Sequence, residues 1–209
     1  MKIFKNRQSA GKILAKHLKD KGADLVLAIP RGGVMVAHEV AKELKLPLDI
    51  IVTRKIGAPM QPELALGAVD RDGEVVWDEN LKQELRIKNY ELREELERQK
   101  QEIIRREKVY RQGRKSLNVE NKTVILTDDG IATGATALAA INYLKRHEVK
   151  KIVLAVPVAS KESAEKLKSE VDELIILETP RLFRAVGEFY QEFTEVRDEE
   201  VIQLLSSRT

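Results

Sequence analysis

The sequence contains no cysteine among its 209 residues and only three histidines, His17, His38 and His147. A disulfide framework, a thiolate nucleophile and a cysteine-based zinc site are therefore excluded, and the scattered histidines form no ligand cluster. No apolar run reaches the roughly 18 residues that span a membrane, and the N-terminal segment lacks the apolar stretch of a secretory signal. We therefore expect a cytoplasmic protein that makes no membrane contact.

Aromatic residues are also scarce, at 4% of the chain, whereas 34% of the residues are charged. The 37 Lys and Arg residues nearly balance the 34 Asp and Glu residues, so the net charge is only +3. This balance does not favour nucleic-acid binding through bulk electrostatics. Hydrophobic residues make up 43% of the chain, which is enough for a core and excludes disorder as its main state. We expect a single domain over residues 1–209.

Short apolar runs alternate with helical patterns along the chain. The apolar runs predict strands at 24–30, 49–53, 123–127, 151–158 and 173–177. Apolar residues at helical spacing predict helices at 8–21, 34–44, 137–146 and 160–169. Strands that alternate with helices predict an α/β fold with a doubly wound, mostly parallel sheet.

The segment between the second and third strands has a different pattern. Gly57, Pro59 and Pro62 predict an irregular loop over residues 56–73, although 64–69 and 74–77 could pair as a hairpin around Asp-Gly. Residues 79–112 contain no Gly or Pro and have leucines near heptad spacing, which predicts one long, mostly solvated helix. This helix could lie on the core or against a second copy of the chain.

Residues 128–136 follow an apolar strand and combine two carboxylates with a Thr-Gly-Ala-Thr turn that opens a helix. Parallel sheets bind ligands beyond the carboxyl ends of their strands, and the first amides of a helix are unpaired. Gly134, Thr133 and Thr136 therefore predict a phosphate site. Asp128 and Asp129 would repel a phosphate but suit ribose hydroxyls or Mg²⁺. In the simpler interpretation, the threonines cap a helix and the aspartates end a strand at the surface.

The segment TDDGIATGAT closely resembles the motif with which type I phosphoribosyltransferases bind 5-phosphoribosyl 1-diphosphate (PRPP). This resemblance implies that Asp128 and Asp129 act in catalysis on the ribose hydroxyls and hold Mg²⁺. It also implies that the 5′-phosphate is surrounded by Ala132, Thr133, Gly134, Ala135 and Thr136.

Two earlier segments strengthen this resemblance. AIPRGGV resembles the pyrophosphate loop of the family, which implies that Arg31, Gly32 and Gly33 bind the leaving group. VTRKIGAP resembles the end of the second strand in adenine phosphoribosyltransferase, where Arg54 and Lys55 would reach the pyrophosphate. The structural alternatives are an ordinary turn and a solvated strand end.

Residues 56–73 occupy the place of the family's mobile catalytic loop. The similarity of PELALG to the adenine-type loop makes Glu63 the acid/base candidate, with an ordinary surface glutamate as the alternative. Enzymes that act on 6-oxopurines carry an aspartate at the position of Ala132, so its absence here argues against their mechanism. The tail 179–209 would form a hood whose aromatic residues either stack on a planar acceptor or belong to the core.

The whole layout resembles a stand-alone subgroup of phosphoribosyltransferases. The resemblance implies a Mg²⁺-dependent enzyme of nucleotide salvage, acting as a homodimer. It would transfer the phosphoribosyl group of PRPP to a nitrogen of a nucleobase or similar small molecule and release pyrophosphate. The alternative is a regulator on the same fold that senses PRPP or a nucleotide and could bind RNA through the basic end of helix 79–112. A hydrolase with Asp128 as nucleophile has no other support in the sequence.

Overall fold

A computed structural model describes residues 4–59 and 61–207, and at Pro62, Glu63 and Asn89 it describes the backbone alone. The strands in the described ranges are β1 (Leu25–Ala28), β2 (Leu48–Ile50), β3 (Arg54–Ala58), β4 (Gln61–Val69), β5 (Val75–Trp77), β6 (Thr123–Thr127), β7 (Lys151–Val158) and β8 (Glu173–Glu178). The helices are α1 (Arg7–Lys16), α2 (Gly32–Leu44), α3 (Glu79–Glu84), α4 (Arg93–Arg111), α5 (Ala135–Arg146), α6 (Lys161–Lys168) and α7 (Asp198–Ser206).

The central sheet has five parallel strands in the order β2-β1-β6-β7-β8. Helices α2, α5 and α6 connect consecutive strands of this sheet, so the expected α/β fold with a doubly wound, mostly parallel sheet is confirmed. Strands β6 and β7 begin and end at the predicted residues, whereas β2 ends at Ile50 instead of Thr53.

Both faces of the central sheet are covered by helices. Val26 and Ala28 belong to a core cluster on the face that carries α1, α2 and α7. Leu25 and Leu27 belong to the cluster on the opposite face, which is covered by α5 and α6. Successive strand residues point to opposite faces, so a strand buried on both faces is apolar throughout. This explains why the strands are visible in the sequence as uninterrupted apolar runs.

The strand order creates a crevice at one end of the sheet. Strand β1 lies between β2, which follows it in the chain, and β6, which the chain reaches much later. The loops after β1 and β6 therefore lead away from each other. In open parallel sheets, ligands bind at such a point, beyond the carboxyl ends of the two strands.

The prediction of an irregular loop at residues 56–73 is wrong in part. Strands β3, β4 and β5 form an antiparallel sheet, and the predicted hairpin between β4 and β5 is confirmed, with Gly73 at φ +87° in its turn. Pro59 follows the end of β3, and the β3–β4 register shifts on both sides of Gly57. Because prolines are tolerated at strand ends and bulges, these residues do not prevent pairing.

The prediction of one long helix over 79–112 is also wrong. Helix α3 ends at Glu84, and Arg86 adopts a left-handed φ of +55° before a 3₁₀ turn at Asn89–Leu92 leads into α4. No Gly or Pro marks this break, so the sequence pattern does not reveal it. Helix α4 packs against β3 and α7, which confirms the interpretation that it lies on the core.

The tail 179–209 divides into two parts. Tyr190 forms a β-bridge with Phe4, and the main chain of Phe4 and Lys5 pairs with residues 189–192. Phe189 and Tyr190 are buried, so they belong to the core instead of facing an acceptor. Beyond them, α7 packs against α2 and α4. In the described ranges, no helix combines the length and the apolar character needed to cross a membrane.

Candidate active site

A cleft of about 470 Å³ opens at the carboxyl ends of β1 and β6. Its walls come from the loop after β1, the start of β3, helix α4, and the segment from the end of β6 to α5. It brings together seven of the predicted site residues, which are Arg31, Gly32, Arg54, Lys55, Asp128, Asp129 and Thr136. The crevice created by the strand order is therefore the place where the sequence motifs meet.

Two helices begin at this cleft without a side-chain cap. Helix α2 starts after Arg31 and α5 starts after Gly134, and neither residue supplies a side-chain acceptor to the first turn. By contrast, the side chains of Asn6, Asp78 and Ser160 cap α1, α3 and α6. The unpaired amides and positive dipole ends of α2 and α5 can therefore serve anions bound in the cleft.

The loop before α5 is held from behind by α6. The carbonyl oxygen of Ala132 accepts hydrogen bonds from Ser160 Oγ at 2.7 Å and from Ser163 Oγ at 2.6 Å. Gly134 adopts a left-handed φ of +76°, a conformation that glycine reaches at little cost. Thr133 is exposed and Thr136 is half-buried. These contacts fix the backbone of the predicted phosphate loop in advance of any ligand.

The two carboxylates at the end of β6 are in contact with each other. The amide of Asp129 donates to Asp128 Oδ1 at 2.8 Å. Desolvation raises the pKa of Asp128 well above its usual value, and the negative charge of Asp129 adds to this effect. The surroundings of Asp128 therefore disfavour its ionised form. A carboxyl group with such a shifted pKa inside a cleft is typical of a functional site.

Glycines in the loop after β1 allow this loop to lie directly against the carboxylates. A Cβ atom at Gly32 would be 1.9 Å from Asp129 Oδ2, and one at Gly33 would be 2.8 Å from Asp128 Cα. The peptide bond between Pro30 and Arg31 is cis. Any side chain at either glycine would push the loops after β1 and β6 apart, so close approach explains the Gly-Gly pair.

Arg7 is a site residue that the sequence motifs do not reveal. Its Nε donates to Asp129 Oδ2 at 2.6 Å, and its Nη1 donates to the carbonyl of Thr194 at 2.8 Å. Its guanidinium also lies 3.7 Å from the centre of the Phe193 ring. Arg7 lies three positions before the buried Ala10 on α1, so a charged residue on an apolar helix face was the available signal.

Tyr190 holds the main chain of the same aspartate from the tail. Its hydroxyl donates to the carbonyl oxygen of Asp129 at 2.5 Å. Burial raises the pKa of the Tyr190 phenol, and the charge of Asp129 raises it further. The phenol therefore remains protonated and acts as a donor. Arg7 and Tyr190 together tie Asp129 to the tail, which is why a hood residue contributes to the site without facing an acceptor.

The predicted pyrophosphate-binding cations have different surroundings. Arg31 Nη2 donates to Glu195 Oε1 at 2.5 Å, whereas Arg54 Nε donates to Gln99 Oε1 at 2.7 Å. Lys55 is exposed. A second cleft of about 450 Å³ adjoins the first, and both are lined by Arg31 and Arg54. All three predicted cations thus border the space between α4 and the loop after β1.

The donor set is compatible with Mg²⁺ supplied together with a phosphorylated substrate. The described residues contain no cluster of three or more His, Cys, Asp or Glu side chains that could enclose a metal. Mg²⁺ is commonly held by one or two carboxylates, with water and substrate phosphates as its other ligands. In the described part of the chain, Asp128 Oδ1 accepts from an amide and Asp129 Oδ2 from Arg7, and the second oxygen of each carboxylate accepts from no N–H group.

Two sequence expectations have different outcomes here. The side chain of Glu63 lies outside the described residues, so its acid/base role stays a prediction. The basic end of α4 is occupied by internal contacts. Arg106 pairs with Glu102, Arg111 with Asp49 and Glu107, and Arg105 bridges Glu102 and Asp198. Three of the basic residues at this end of α4 are therefore engaged in structural ion pairs.

Comparison with known proteins identifies the family. The family model described as "Phosphoribosyl transferase domain" matches residues 2–187. The chain belongs to this phosphoribosyltransferase family. The family that the motifs predicted is therefore confirmed, and the matched range contains both loops and both carboxylates of the cleft.

Members of this family with known sequence or structure are similar over most of the chain. "Putative phosphoribosyl transferase Rv0571c" of Mycobacterium tuberculosis is 41% identical over 207 residues, which is 98% of this chain and 47% of the relative. This chain thus spans about half the length of that curated relative. The crystal structure of TT1426 from Thermus thermophilus is 41% identical, has a TM-score of 0.81 and is matched over 98% of both chains.

A more distant solved structure shares the fold. The APRTase of Giardia lamblia, complexed with 9-deazaadenine, is 16% identical and has a TM-score of 0.52. The match covers 84% of this chain and 80% of that one. At this identity the similarity shows the fold and does not extend to the acceptor.

Proposed function

We propose that this protein is a Mg²⁺-dependent transferase that moves the 5-phosphoribosyl group of PRPP to a nitrogen of a small acceptor and releases pyrophosphate. The observation that carries this proposal is one cleft in which two uncapped helix N-termini flank a pair of carboxylates. PRPP has a phosphate at each end and a ribose between them. The arrangement of charges in the cleft therefore matches the arrangement of charges in the substrate.

The two ends of PRPP would bind to different loops. The 5′-phosphate would accept hydrogen bonds from the amides of residues 132–136 at the start of α5 and from the hydroxyls of Thr133 and Thr136. The diphosphate would lie at the start of α2, with Arg31, Arg54 and Lys55 as charged donors. The ribose hydroxyls would reach Asp128 and Asp129. Each contact is a charge-assisted hydrogen bond, a class roughly twice as strong as neutral ones.

The reaction breaks the bond between C1 of the ribose and the diphosphate oxygen, and it forms a bond between C1 and the acceptor nitrogen. The bonding electrons leave with pyrophosphate, while the acceptor nitrogen loses a proton. Arg31, Arg54 and Lys55 would stabilise the negative charge that grows on the leaving group. One preorganised donor of this kind can contribute about 3 to 4 kcal/mol. Asp128 and Asp129 would balance positive charge at the anomeric carbon.

The carboxylates would also hold the metal. When bound, Mg²⁺ would neutralise part of the charge on the diphosphate. Arg7 and Tyr190 fix Asp129 by its side chain and its carbonyl group, so the carboxylate is oriented before substrate arrives. Such preorganisation avoids reorganisation during the reaction.

The nitrogen that receives the phosphoribosyl group loses a proton, and a base must take up this proton. Ala132 carries no side-chain base, and its carbonyl oxygen is engaged by Ser160 and Ser163. Glu63 on β4 is the candidate base, and closure of the β3–β4 hairpin over the cleft would bring it to the substrate and exclude water. We therefore favour, as the substrate, a planar amine or a nucleobase that is not a 6-oxopurine.

The regulator remains the competing hypothesis, with weaker support. Its main argument was the basic end of α4, where Arg105, Arg106 and Arg111 now have carboxylate partners. A cytoplasmic homodimer that binds neither membrane nor nucleic acid remains our expectation, together with a role in nucleotide salvage.

The test is to incubate the protein with Mg²⁺ and PRPP and a panel of nucleobases, and to follow pyrophosphate release and the mass of new nucleotides. Acceptor-dependent release that is lost in Asp129→Asn would support the transferase and name its acceptor. PRPP binding without any reaction would favour the regulator. If PRPP did not bind to the wild-type protein, the proposal would fail.

A further inference from the structure

The arginines that line the two clefts differ in how their charge is compensated. Arg7 pairs with Asp129, Arg31 with Glu195, and Arg106 with Glu102. Arg54 has no carboxylate oxygen within 4.0 Å among the side chains that the structure describes. Its side-chain hydrogen bond goes to a neutral amide, that of Gln99 on α4.

Gln99 is held in one orientation by charged groups on both sides. Its Oε1 accepts from Arg54 Nε at 2.7 Å, and its Nε2 donates to Glu95 Oε1 at 2.7 Å. Glu95 is in turn held by Arg98, with 2.7 Å between the charged groups. A flipped amide would place its NH₂ group against the guanidinium, where two donors would face each other. Gln99 is only 4% exposed, so its amide is largely shielded from solvent.

Burial makes the positive charge of Arg54 costly. Desolvation lowers the pKa of Arg54, and the nearby positive charge of Arg106 lowers it further, while the charges of Glu102 and Glu95 act in the opposite direction without contacting the guanidinium. A carboxylate at position 99 would relieve this cost, but it would also neutralise the charge that faces the cleft. The amide orients the guanidinium and leaves its charge available. Gln99 also occupies a place in the buried stripe of α4, between Leu92 and Ile103, where an apolar residue would be expected.

We propose that Gln99 is a positioning residue that presents the guanidinium of Arg54, which no carboxylate contacts directly, to the diphosphate of the substrate. Helix α4 is then part of the wall that recognises the anion, together with the loops after β1 and β6. This inference rests on the proposed function, since it assumes that the anion in the cleft is the diphosphate of PRPP.

The decisive variant is Gln99→Glu, which keeps the size of the side chain and adds a negative charge beside Arg54. Inorganic pyrophosphate is the binding probe, measured by calorimetry, and KM for PRPP and kcat are measured in parallel. We expect binding of pyrophosphate to weaken by about tenfold or more and kcat/KM for PRPP to fall at least as far, because a neutralised guanidinium attracts the diphosphate less, both in the bound substrate and as the leaving group. Gln101→Glu is the matched control, since it adds the same charge at an exposed position of α4.

A second variant covers the case in which Gln99→Glu does not fold. Gln99→Met keeps the volume but removes both hydrogen bonds, and we expect it to weaken pyrophosphate binding and to lower kcat/KM for PRPP by a few fold. A variant at position 99 that folds and binds pyrophosphate as tightly as Gln101→Glu would overturn the role of Gln99, while the transferase would stand. If the wild-type protein bound neither pyrophosphate nor PRPP, both the inference and the proposed function would be wrong.

Discussion

Replacing Asp129 by Asn tests whether the charge of this carboxylate is used in the reaction. The substitution keeps the shape of the side chain, and the amide oxygen can still accept the hydrogen bond that Arg7 Nε donates to Asp129 Oδ2 at 2.6 Å. Only the negative charge is removed. The variant therefore separates electrostatic function from packing.

The effect on stability follows from two opposing contributions. Arg7 and Asp129 have side chains that are 10% and 14% exposed, so loss of their ion pair leaves a buried guanidinium with a neutral partner. Weakening a buried charged hydrogen bond costs about 1 to 3 kcal/mol. The substitution also removes the like charge beside Asp128, which opposes this loss. For a chain of this length 1 kcal/mol corresponds to about 2 to 4 °C, so we expect Tm to change by less than about 4 °C.

The effect on turnover is expected to be much larger. A preorganised charge at the reacting centre contributes about 3 to 4 kcal/mol, which corresponds to a decrease in kcat of roughly 10² to 10³. The assay is Mg²⁺-dependent pyrophosphate release from PRPP with saturating acceptor, together with thermal unfolding of the same samples. Asp20→Asn, at an exposed position beyond the end of α1, is the control. A kcat within threefold of the wild type would refute the assigned role, and so would a loss explained by unfolding at the assay temperature.

Three further substitutions test separate parts of the site. Gly32→Ala would place a Cβ atom 1.9 Å from Asp129 Oδ2, so we expect PRPP binding measured by calorimetry to be lost while the far-ultraviolet circular dichroism is kept. Ser163→Ala removes one of the two hydroxyls that hold the carbonyl of Ala132, and we expect KM for PRPP to rise about threefold to tenfold with little change in kcat. Asp128→Asn should raise Tm of the ligand-free protein near pH 7 and abolish turnover. The folded-state pKa of Asp128 is raised, so its ionisation costs stability as pH rises from the unfolded value of about 4. The gain in Tm should therefore disappear below that pH.

For each of these three substitutions, one outcome would contradict the prediction. For Gly32→Ala, unchanged PRPP affinity would show that the two loops can separate without loss of the site. Ser169→Ala is the control for Ser163→Ala, because its exposed hydroxyl bonds only within α6, and equal KM values for the two variants would exclude anchoring of the phosphate loop. For Asp128→Asn, a Tm below that of the wild type at neutral pH would mean that the carboxylate stabilises the fold.

Local sequence patterns were sufficient to predict the central sheet and many of the residues that line the cleft. Strands β6 and β7 were predicted to the residue, because a strand buried on both faces must be apolar throughout. The loop after β6 was recognisable because the motif that it resembles combines two carboxylates, a glycine and hydroxyl residues at adjacent positions before a helix. The hairpin between β4 and β5 was recognisable from Asp72 and Gly73, since its turn needs a positive φ.

Other features depend on contacts between residues that are distant in sequence. Arg7 reaches Asp129 across 122 positions, and Arg54 reaches Gln99 across 45. No local pattern marks Arg86, which takes a left-handed conformation without being glycine and divides the predicted long helix. Hydrophobic periodicity and turn chemistry involve only a few neighbouring residues, so they can be recognised in short segments of the sequence. A buried charge and its partner become neighbours only when packing brings two distant segments together. The tertiary structure was therefore needed to find Arg7 and Gln99.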